Sequence, residues 1–414
     1  MARVVLLGTL DTKEAEYRFL REKILAAGHD VVVIDAGITP YVSGIADYDS
    51  TFVARAAGHD VAALASAGDR GAAVNAMAEG AAAVVLDLLS GQGFDGICAL
   101  GGSGGSALAT HAMRTLPIGV PKLMVSTVAS GDIGPYVGTC DLTMMHSVVD
   151  IAGLNRISAR ILENAAGAIS GMAAAYAARD RQASHRPVVA ATMFGVTTKG
   201  VMAAKEWLEE RGYEVLVFHA VGTGGRAMEA LAADGYLDGI LDLTTTELAD
   251  ELVGGIFSAG PDRLRVAARH AVPQVVSVGA LDMVNFGPRD TIPAKFAGRR
   301  LHKHNASITL MRTTPAECAA LGGIIGERLA SGISPTRVFL PLRGISAVAV
   351  PGGIFHDAEA DTALFTSLRS ALPTHIEITQ LDTDINDPAF ATAAAAALDE
   401  LITKAGRPRR ASAG

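Results

Sequence analysis

The chain has 414 residues, of which half are hydrophobic and 19% are charged, and its formal net charge is −8. This length is enough for two domains, and the apolar composition excludes a disordered chain. The net negative charge argues against general binding to a nucleic-acid backbone. We therefore expect a globular two-domain protein whose partner is not a nucleic acid.

The cysteine content and the distribution of apolar residues indicate the cellular compartment in which the protein is expected. Three cysteines, Cys98, Cys140 and Cys318, are too few for a disulfide framework and fit a reducing compartment. The sequence after Met1 lacks a signal-peptide pattern, and no stretch reaches about 18 uncharged apolar residues, the length of a membrane span. These features predict a cytoplasmic protein without a membrane partner.

Strand-like and helical patterns alternate along the chain. In the first half the predicted strands are 3–8, 30–35, 94–100, 121–127 and 136–140, and the predicted helices are 13–27, 51–66, 70–90, 104–115 and 145–178. In the second half the pattern restarts at 188, and the predicted strands that follow are 214–219, 238–242, 273–278, 307–312, 337–341, 346–350 and 374–379, with a last helix at 388–404. Such alternation favours parallel sheets covered by helices.

One layout of strand, turn, helix, glycine and strand occurs twice, beginning at Val4 and again at Val188. The repeat predicts an α/β fold of two Rossmann-like three-layer domains with mostly parallel sheets and a cleft between them. The polar stretch from Ala178 to Pro187 is the predicted linker. We place an N-terminal nucleotide-binding domain at 1–182, a C-terminal domain at 183–404 and a basic tail at 405–414.

The strongest motif is a glycine-rich turn between a strand and a helix, formed by Gly101, Gly102, Ser103, Gly104 and Gly105. Glycines allow a sharp turn that exposes successive N–H groups, and the helix start adds partial positive charge. The spacing matches neither a Walker A loop nor a strict G-x-G-x-x-G motif. We interpret the turn as a cradle for phosphate or carboxylate; close helix–strand packing is the alternative.

A second turn follows the first strand and contains Gly8, Thr9, Asp11, Thr12 and Lys13. In a parallel sheet this edge carries ligands, so Lys13 is expected to meet a phosphate as a point charge. Asp11 would hold Mg²⁺ through water. The alternative is structural, with Asp11 or Thr12 capping the helix.

A third polar turn, with Ser126, Thr127, Ser130, Gly131 and Asp132, follows another strand at the same predicted edge. Asp132 is a second candidate ligand for Mg²⁺, and Asp141 is a further candidate metal or ribose partner. A plain turn aspartate is the alternative for both. His146 is expected near a helix start, where it would serve as a cap.

The second half has turns of the same kind. One contains Gly222, Thr223, Gly224 and Gly225, and another contains Thr245 and Thr246 after a predicted strand. We include these residues among the candidate ligand contacts. Thr244 to Glu247 also form an N-cap pattern, which is the structural alternative.

Five motifs, taken together, resemble one family over about residues 3–400. They are Gly-Thr-Leu-Asp-Thr-Lys, Gly-Gly-Ser-Gly-Gly, Ser-Thr-Val-Ala-Ser-Gly-Asp, Gly-Thr-Gly-Gly-Arg-Ala-Met-Glu and Leu-Thr-Thr-Thr-Glu-Leu. It is the family of the ATP-binding, tobamovirus-resistance-type inhibitor domain, which plants carry at the N-terminus of a larger protein and many bacteria have as a stand-alone chain. The resemblance implies two Rossmann-like domains, bound ATP with Mg²⁺, and a homodimer. The plant domain binds a viral replication protein, and that role is not carried over to a chain of the bacterial form.

Three functions are therefore open. The leading hypothesis is a Mg²⁺-dependent ATP-binding protein, with or without weak hydrolase or phosphoryl-transfer activity. The first alternative is an isomerase or lyase for a small phosphorylated or carboxylated metabolite, with His219, Asp282, His304 and Arg312 in the cleft between the domains. The second alternative is a regulatory module ordered by ATP. The sequence singles out no catalytic base.

Overall fold

The computed structural model describes residues 1–39, 42–179 and 186–406. The chain divides into two compact units, Met1–Ala183 and Ser184–Gly414. The predicted boundary at 182 lies outside the described residues, as do most of the predicted linker and most of the predicted tail.

The first unit alternates strands and helices. Its elements are β1 (Arg3–Gly8), α1 (Leu10–Ala26), β2 (Asp30–Asp35), α2 (Ser50–Ala56), α3 (Val61–Ser66), α4 (Arg70–Gly91), β3 (Gly96–Gly101), α5 (Ser103–Arg114), β4 (Lys122–Ser126), α6 (Gly134–Val137), β5 (Thr143–His146) and α7 (Arg156–Ala177). The strands form one parallel sheet in the order β2-β1-β3-β4-β5. The order reverses between β1 and β3, and at such a point ligands of open α/β sheets bind beyond the carboxyl ends of the strands.

Helices cover both faces of this sheet. Side chains alternate between faces along a strand, so Val5 and Leu7 share one apolar cluster with α2, α4 and α5. Val4 and Leu6 share the other cluster with α1 and α7. Every residue of β3 is buried, which explains its continuous apolar sequence.

The second unit repeats this plan with one insertion. Its elements are β6 (Val188–Met193), α8 (Thr198–Glu209), β7 (Glu214–His219), α9 (Thr223–Ala233), β8 (Gly239–Thr244), α10 (Glu247–Val253), α11 (Arg265–Arg269), β9 (Gln274–Gly279), β10 (Met283–Phe286), β11 (Leu301–Lys303), β12 (Thr309–Arg312), α12 (Pro315–Ala330), β13 (Thr336–Pro341), α13 (Ala358–Ala371), β14 (Glu377–Leu381) and α14 (Pro388–Lys404). Six strands form a parallel sheet in the order β14-β13-β9-β8-β6-β7. The insertion is an antiparallel sheet, β10-β12-β11. The predicted α/β class with two Rossmann-like units is confirmed.

Four predicted elements differ from the structure. The strand expected at 136–140 is wrong, because the short helix α6 occupies this region and the edge strand β5 begins at Thr143. The helix expected at 145–178 begins only at Arg156, where Asn155 and Ser158 form a capping box. His146 is therefore the last residue of a strand and not a helix cap.

The other two differences arise from loop geometry. The helix expected at 51–66 is two helices, α2 and α3, separated at Gly58, whose φ of +77° ends a right-handed helix. The strand expected at 346–350 is a loop, where the Ser346 hydroxyl accepts a hydrogen bond from the Val348 N–H at 3.2 Å. Local side-chain bonds of this kind compete with strand pairing.

One described helix, α4, is long and apolar enough to cross a membrane by length and composition. More than half of its apolar window is buried inside the protein. Ala81 and Val85 on this helix belong to the apolar cluster on one face of the first sheet. In this structure the helix thus serves as a core helix.

Candidate functional site

A cleft of about 540 Å³ lies in the first unit, beyond the carboxyl ends of β1 and β3. The described residues that line it are Thr9, Asp11, Thr12, Lys13, Ile38, Thr39, Leu64, Ala65, Gly68, Asp69, Arg70, Ala73, Val74, Gly102, Ser103, Gly104, Gly105 and Leu108. Its volume is in the range of small-molecule sites. The cleft therefore lies where the order of the sheet reverses, and it contains most of the first two predicted turns.

The glycine turn starts α5 and opens onto this cleft. The N–H groups in the first turn of a helix have no partner within the helix. At the start of α5 no side chain among the described residues caps them either. A Cβ on Gly104 would meet no atom within 4 Å, whereas one on Gly101 would lie 3.1 Å from the Gly105 Cα. Gly101 is thus required for close packing of strand and helix, and Gly104 leaves space for a ligand.

Asp11 stands at the kinked start of α1, where Lys13 departs from helical geometry with φ −137° and ψ 22°. Its Oδ2 accepts hydrogen bonds from the N–H groups of Ile38 at 3.2 Å and Thr39 at 3.0 Å. Its Oδ1 is buried and has no hydrogen-bond partner in the described part of the chain. Asp11 therefore fixes a neighbouring loop and does not cap α1, and one of its carboxylate oxygens has no hydrogen-bond partner among the described residues.

Lys13 also lines the cleft. Its ammonium donates a hydrogen bond to the Ile151 carbonyl at 2.6 Å. Two residues after Ile151, the Gly153 N–H donates to the buried Glu16 carboxylate at 2.6 Å. These two hydrogen bonds connect the loop after β5 to α1, and the first of them fixes the position of the Lys13 amine.

Gly8, expected at the ligand, has a structural role instead. A Cβ on Gly8 would lie 1.8 Å from the Tyr17 hydroxyl oxygen. That hydroxyl donates to the Leu7 carbonyl at 2.6 Å and accepts from the Leu100 N–H at 3.0 Å. Gly8 allows the buried tyrosine to join β1 and β3, which aligns the two turns of the cleft.

The third predicted turn, Ser126 to Asp132, contributes none of the described residues that line the cleft. The buried Ser126 hydroxyl is 2.6 Å from that of Ser106, and Asp132 accepts from the Gly134 N–H at 3.0 Å. Ser130 and Gly131 are exposed turn residues. Thr127 is nearest to the site, because its hydroxyl would lie 3.7 Å from a Cβ on Gly102.

Asp141, the further candidate for a metal or ribose, is bound to a cation of the chain. Its Oδ1 lies 2.8 Å from the ammonium of Lys122, whose side chain is fully buried. Burial alone would raise the pKa of Asp141, but hydrogen bonds from Lys122 and Gly119 lower it below its usual value. Asp141 therefore neutralises a buried lysine. Among the described residues no group of three or more His, Cys, Asp or Glu side chains could hold a metal ion.

In the second unit the predicted cradle at 222–225 is filled by the chain itself. The Glu247 Oε1 accepts hydrogen bonds from the N–H groups of Gly222 at 2.7 Å and Gly225 at 3.0 Å. The carboxylate thus takes the place expected for a ligand anion. Gly224 is required by packing, because a Cβ there would lie 2.0 Å from the His219 carbonyl oxygen. Thr223 is exposed at the start of α9.

The same carboxylate belongs to a buried ionic cluster centred on Arg263. The guanidinium contacts both oxygens of Asp242, at 2.5 Å and 2.7 Å, and the Glu247 Oε2 at 2.7 Å. Glu229 completes the cluster at 3.4 Å. All four side chains are at most 6% exposed, so each charge is stabilised by its partners in the cluster instead of by water.

The threonines before α10 are interior residues. The Thr244 hydroxyl bonds to Thr197 at 2.8 Å, and the Thr245 hydroxyl donates to the Ser277 carbonyl at 2.9 Å. Thr246 precedes the first residue of α10, but its side chain makes no capping bond among the described residues. The expected N-cap pattern is therefore wrong, and Thr245 and Thr246 are both fully buried.

The four residues proposed for a metabolite enzyme occupy different settings in the second unit. The buried Asp282 accepts from the Ser346 hydroxyl at 2.8 Å, and Arg312 pairs with Asp361 at 2.9 Å. His219 stacks on Phe194 with ring centroids 5.4 Å apart. His304 is an exposed residue of the turn between β11 and β12.

Two buried carboxylates near the antiparallel insertion make stability depend on pH. Burial raises the pKa of Asp250 to about 7 and the pKa of Asp282 to about 6. Both values exceed that of an unfolded aspartate, so the native chain binds these protons more tightly. The contribution of these two groups to the free energy of unfolding is then highest below about pH 4 and falls as pH rises to about 7, by up to about 1.4 kcal/mol per pH unit for each group.

We expect Asp282→Asn to remove its share of this slope in urea unfolding measured from pH 4 to pH 7. The variant keeps the size of the side chain and an oxygen for the Ser346 hydroxyl at 2.8 Å. An identical pH slope in the wild type and the variant would contradict the assignment.

The sequence did not identify one wall of the cleft. Leu64, Ala65, Ala73 and Val74 form an apolar wall from α3 and α4, and Arg70 lies beside it. The available signal was the pair Gly68-Asp69, a glycine followed by an N-cap residue, which comes directly before a helical pattern. It indicated where α4 begins, but not that this start faces the glycine turn.

Comparison with known proteins gives the family. A model described as "Uncharacterised protein family (UPF0261) N-terminal domain" matches residues 2–178, and the corresponding C-terminal domain model matches residues 186–402. A UPF0261 protein of Clostridium tetani is 48% identical over 403 residues, which cover 97% of this chain and 99% of the relative. The tomato (Solanum lycopersicum) ToMV resistance protein Tm-1(GCR237) is 40% identical over 416 residues, covering 94% of this chain and 54% of the tomato protein.

Similarity to solved structures is much lower. A UDP-GlcNAc 2-epimerase from Neisseria meningitidis bound to UDP-GlcNAc is 10% identical, and the alignment covers 98% of this chain and 100% of that chain. The TM-score is 0.24, too low to support an argument about function. Both domain models and the full-length bacterial relative agree, so this chain belongs to the uncharacterised protein family UPF0261.

Proposed function

We propose that the first unit binds a nucleoside triphosphate, ATP with Mg²⁺, in its cleft. The observation that carries this proposal is the convergence of three helix starts on one cavity: Thr9–Lys13 of α1, Gly68–Arg70 of α4 and Ser103–Gly105 of α5. The start of α5 carries no side-chain cap and offers N–H donors and partial positive charge to an anion, whereas Asp35 accepts from the Leu10 N–H at the start of α1 and Asp69 caps α4. A ligand with several phosphate charges would bind at the start of α5, where Lys13 of α1 and Arg70 of α4 line the same cleft.

The other walls of the cleft fit the remaining parts of such a ligand. The apolar wall of Leu64, Ala65, Ala73 and Val74 suits a base, and the open space at Gly104 admits a phosphate close to the backbone. The unpartnered Oδ1 of Asp11 suits Mg²⁺, which proteins often hold through one or two carboxylates together with phosphates. Bound Mg²⁺ would neutralise part of the phosphate charge.

A dinucleotide is a poorer fit to the same unit. In dinucleotide-binding folds an acid after the second strand binds the ribose hydroxyls. Here the corresponding Asp35 is 1% exposed, and its Oδ1 accepts from the N–H groups of Leu10 at 3.0 Å and Gly37 at 2.9 Å. This carboxylate is used to shape the turn after β1. The homodimer and the cytoplasmic location expected from the sequence remain part of the proposal.

Replacing Lys13 tests the proposal. We expect Lys13→Ala to weaken ATP binding by about tenfold to a hundredfold, because a charge-assisted contact to phosphate is lost. Lys199→Ala is the matched control, since Lys199 holds the equivalent place in the repeated motif and is exposed in the second unit. Isothermal titration with ATP and Mg²⁺ measures both. Equal affinities for the wild type and Lys13→Ala, with intact folding, would contradict the site.

A further inference from the structure

Among the described residues that line the cleft, Lys13 and Arg70 are the cationic side chains. The Lys13 ammonium is already bound to the Ile151 carbonyl at 2.6 Å. The Arg70 side chain is exposed and makes no hydrogen bond or ion pair with any residue in the described ranges. Its guanidinium therefore has all five N–H donors free for a ligand.

The backbone below Arg70 is held in place, although its side chain is free. Arg70 is the first residue of α4, and the Asp69 Oδ1 caps this helix by accepting from the Ala72 N–H at 3.0 Å. Gly68, with a φ of +71°, turns the chain into the helix. The Arg70 side chain thus extends from a fixed backbone position, and the glycine turn at 102–105 lines the same cleft.

We infer that Arg70 binds the phosphate groups of the nucleotide that lies on the glycine turn. A guanidinium forms two parallel hydrogen bonds to a phosphate and keeps its charge at all physiological pH values. Lys13, held by Ile151, acts from the α1 side, and Arg70 acts from the α4 side. The inference rests on the proposed function and adds a residue that determines affinity through charge.

Two substitutions separate charge from shape. Arg70→Lys keeps the charge, and Arg70→Gln keeps much of the length without charge. For ATP with Mg²⁺, we expect Arg70→Gln to bind about tenfold or more weakly and Arg70→Lys to stay within about fivefold of the wild type. Arg70→Gln with wild-type affinity would overturn the inference. Arg70→Lys that is as weak as Arg70→Gln would support the two parallel guanidinium hydrogen bonds, rather than charge alone, as the source of the affinity.

Arg55→Gln is the matched control, since Arg55 is an exposed arginine on α2 outside the cleft lining, and its ATP affinity should not change. Thermal unfolding of each variant shows whether the fold is intact. A wild-type protein that binds no ATP would overturn the proposed function together with this inference. Normal wild-type binding with no effect in Arg70→Gln would overturn the role of Arg70 alone.

Discussion

Arg263→Met is expected to unfold the second unit or to lower its free energy of unfolding by about 3–5 kcal/mol. The substitution leaves Asp242, Glu247 and Glu229 buried without their shared cation. Methionine fills much of the volume but neutralises none of the charge. Part of the loss should be recovered at low pH, where the carboxylates take up protons.

Arg343→Met is a suitable control for this prediction. Arg343 also binds both oxygens of one aspartate, Asp382, at 2.7 Å and 2.8 Å, but this pair is exposed. Exposed pairs contribute little to stability, so its removal should have little effect. Urea unfolding followed by circular dichroism compares the two variants. Equal effects would show that the buried cluster is not a stabilising centre.

Gly104→Val is expected to lower ATP affinity by about a hundredfold or more while the first unit stays folded. A Cβ at this position meets no protein atom within 4 Å, so the branched side chain would enter the open part of the cleft. There it would occupy the space that a phosphate needs to reach the N–H groups of α5. The cost to the helix itself is below about 1 kcal/mol.

Gly167→Val controls for the general effect of valine in a helix. Gly167 is exposed on α7, where an added Cβ also meets nothing within 4 Å, and it lies outside the cleft lining. Its ATP affinity should equal that of the wild type. A folded Gly104→Val protein with unchanged ATP affinity would exclude the glycine turn as the phosphate site.

Local patterns predicted the framework of the cleft well. The two turns at Gly8–Lys13 and Gly101–Gly105 could be located because each lies between an apolar strand and an amphipathic helix. Parallel strands then bring their carboxyl ends to one edge. Which glycine serves a ligand was not predictable, because Gly8 is required by the hydroxyl of Tyr17, nine residues further along the chain, and no sequence pattern shows that contact.

Contacts between distant segments explain the other differences. Glu247 fills the turn at Gly222–Gly225, and no periodic pattern relates these two places in the sequence. Ser126 turns inward to Ser106, which removes its hydroxyl from the edge of the sheet. Arg70 was missed because the sequence indicates the start of α4 but not the element that it faces. The sequence therefore indicates where the chain turns, and tertiary packing decides which turns remain open.

The most direct test of the central claim is isothermal titration of the full chain with ATP, ADP and AMP, each with and without Mg²⁺. The account predicts binding of ATP that weakens as phosphates are removed and weakens again without Mg²⁺. The start of α5 carries no side-chain cap, and the Asp11 Oδ1 has no hydrogen-bond partner among the described residues. A folded protein that binds none of the three nucleotides, or binds AMP as tightly as ATP, would contradict a triphosphate site in this cleft.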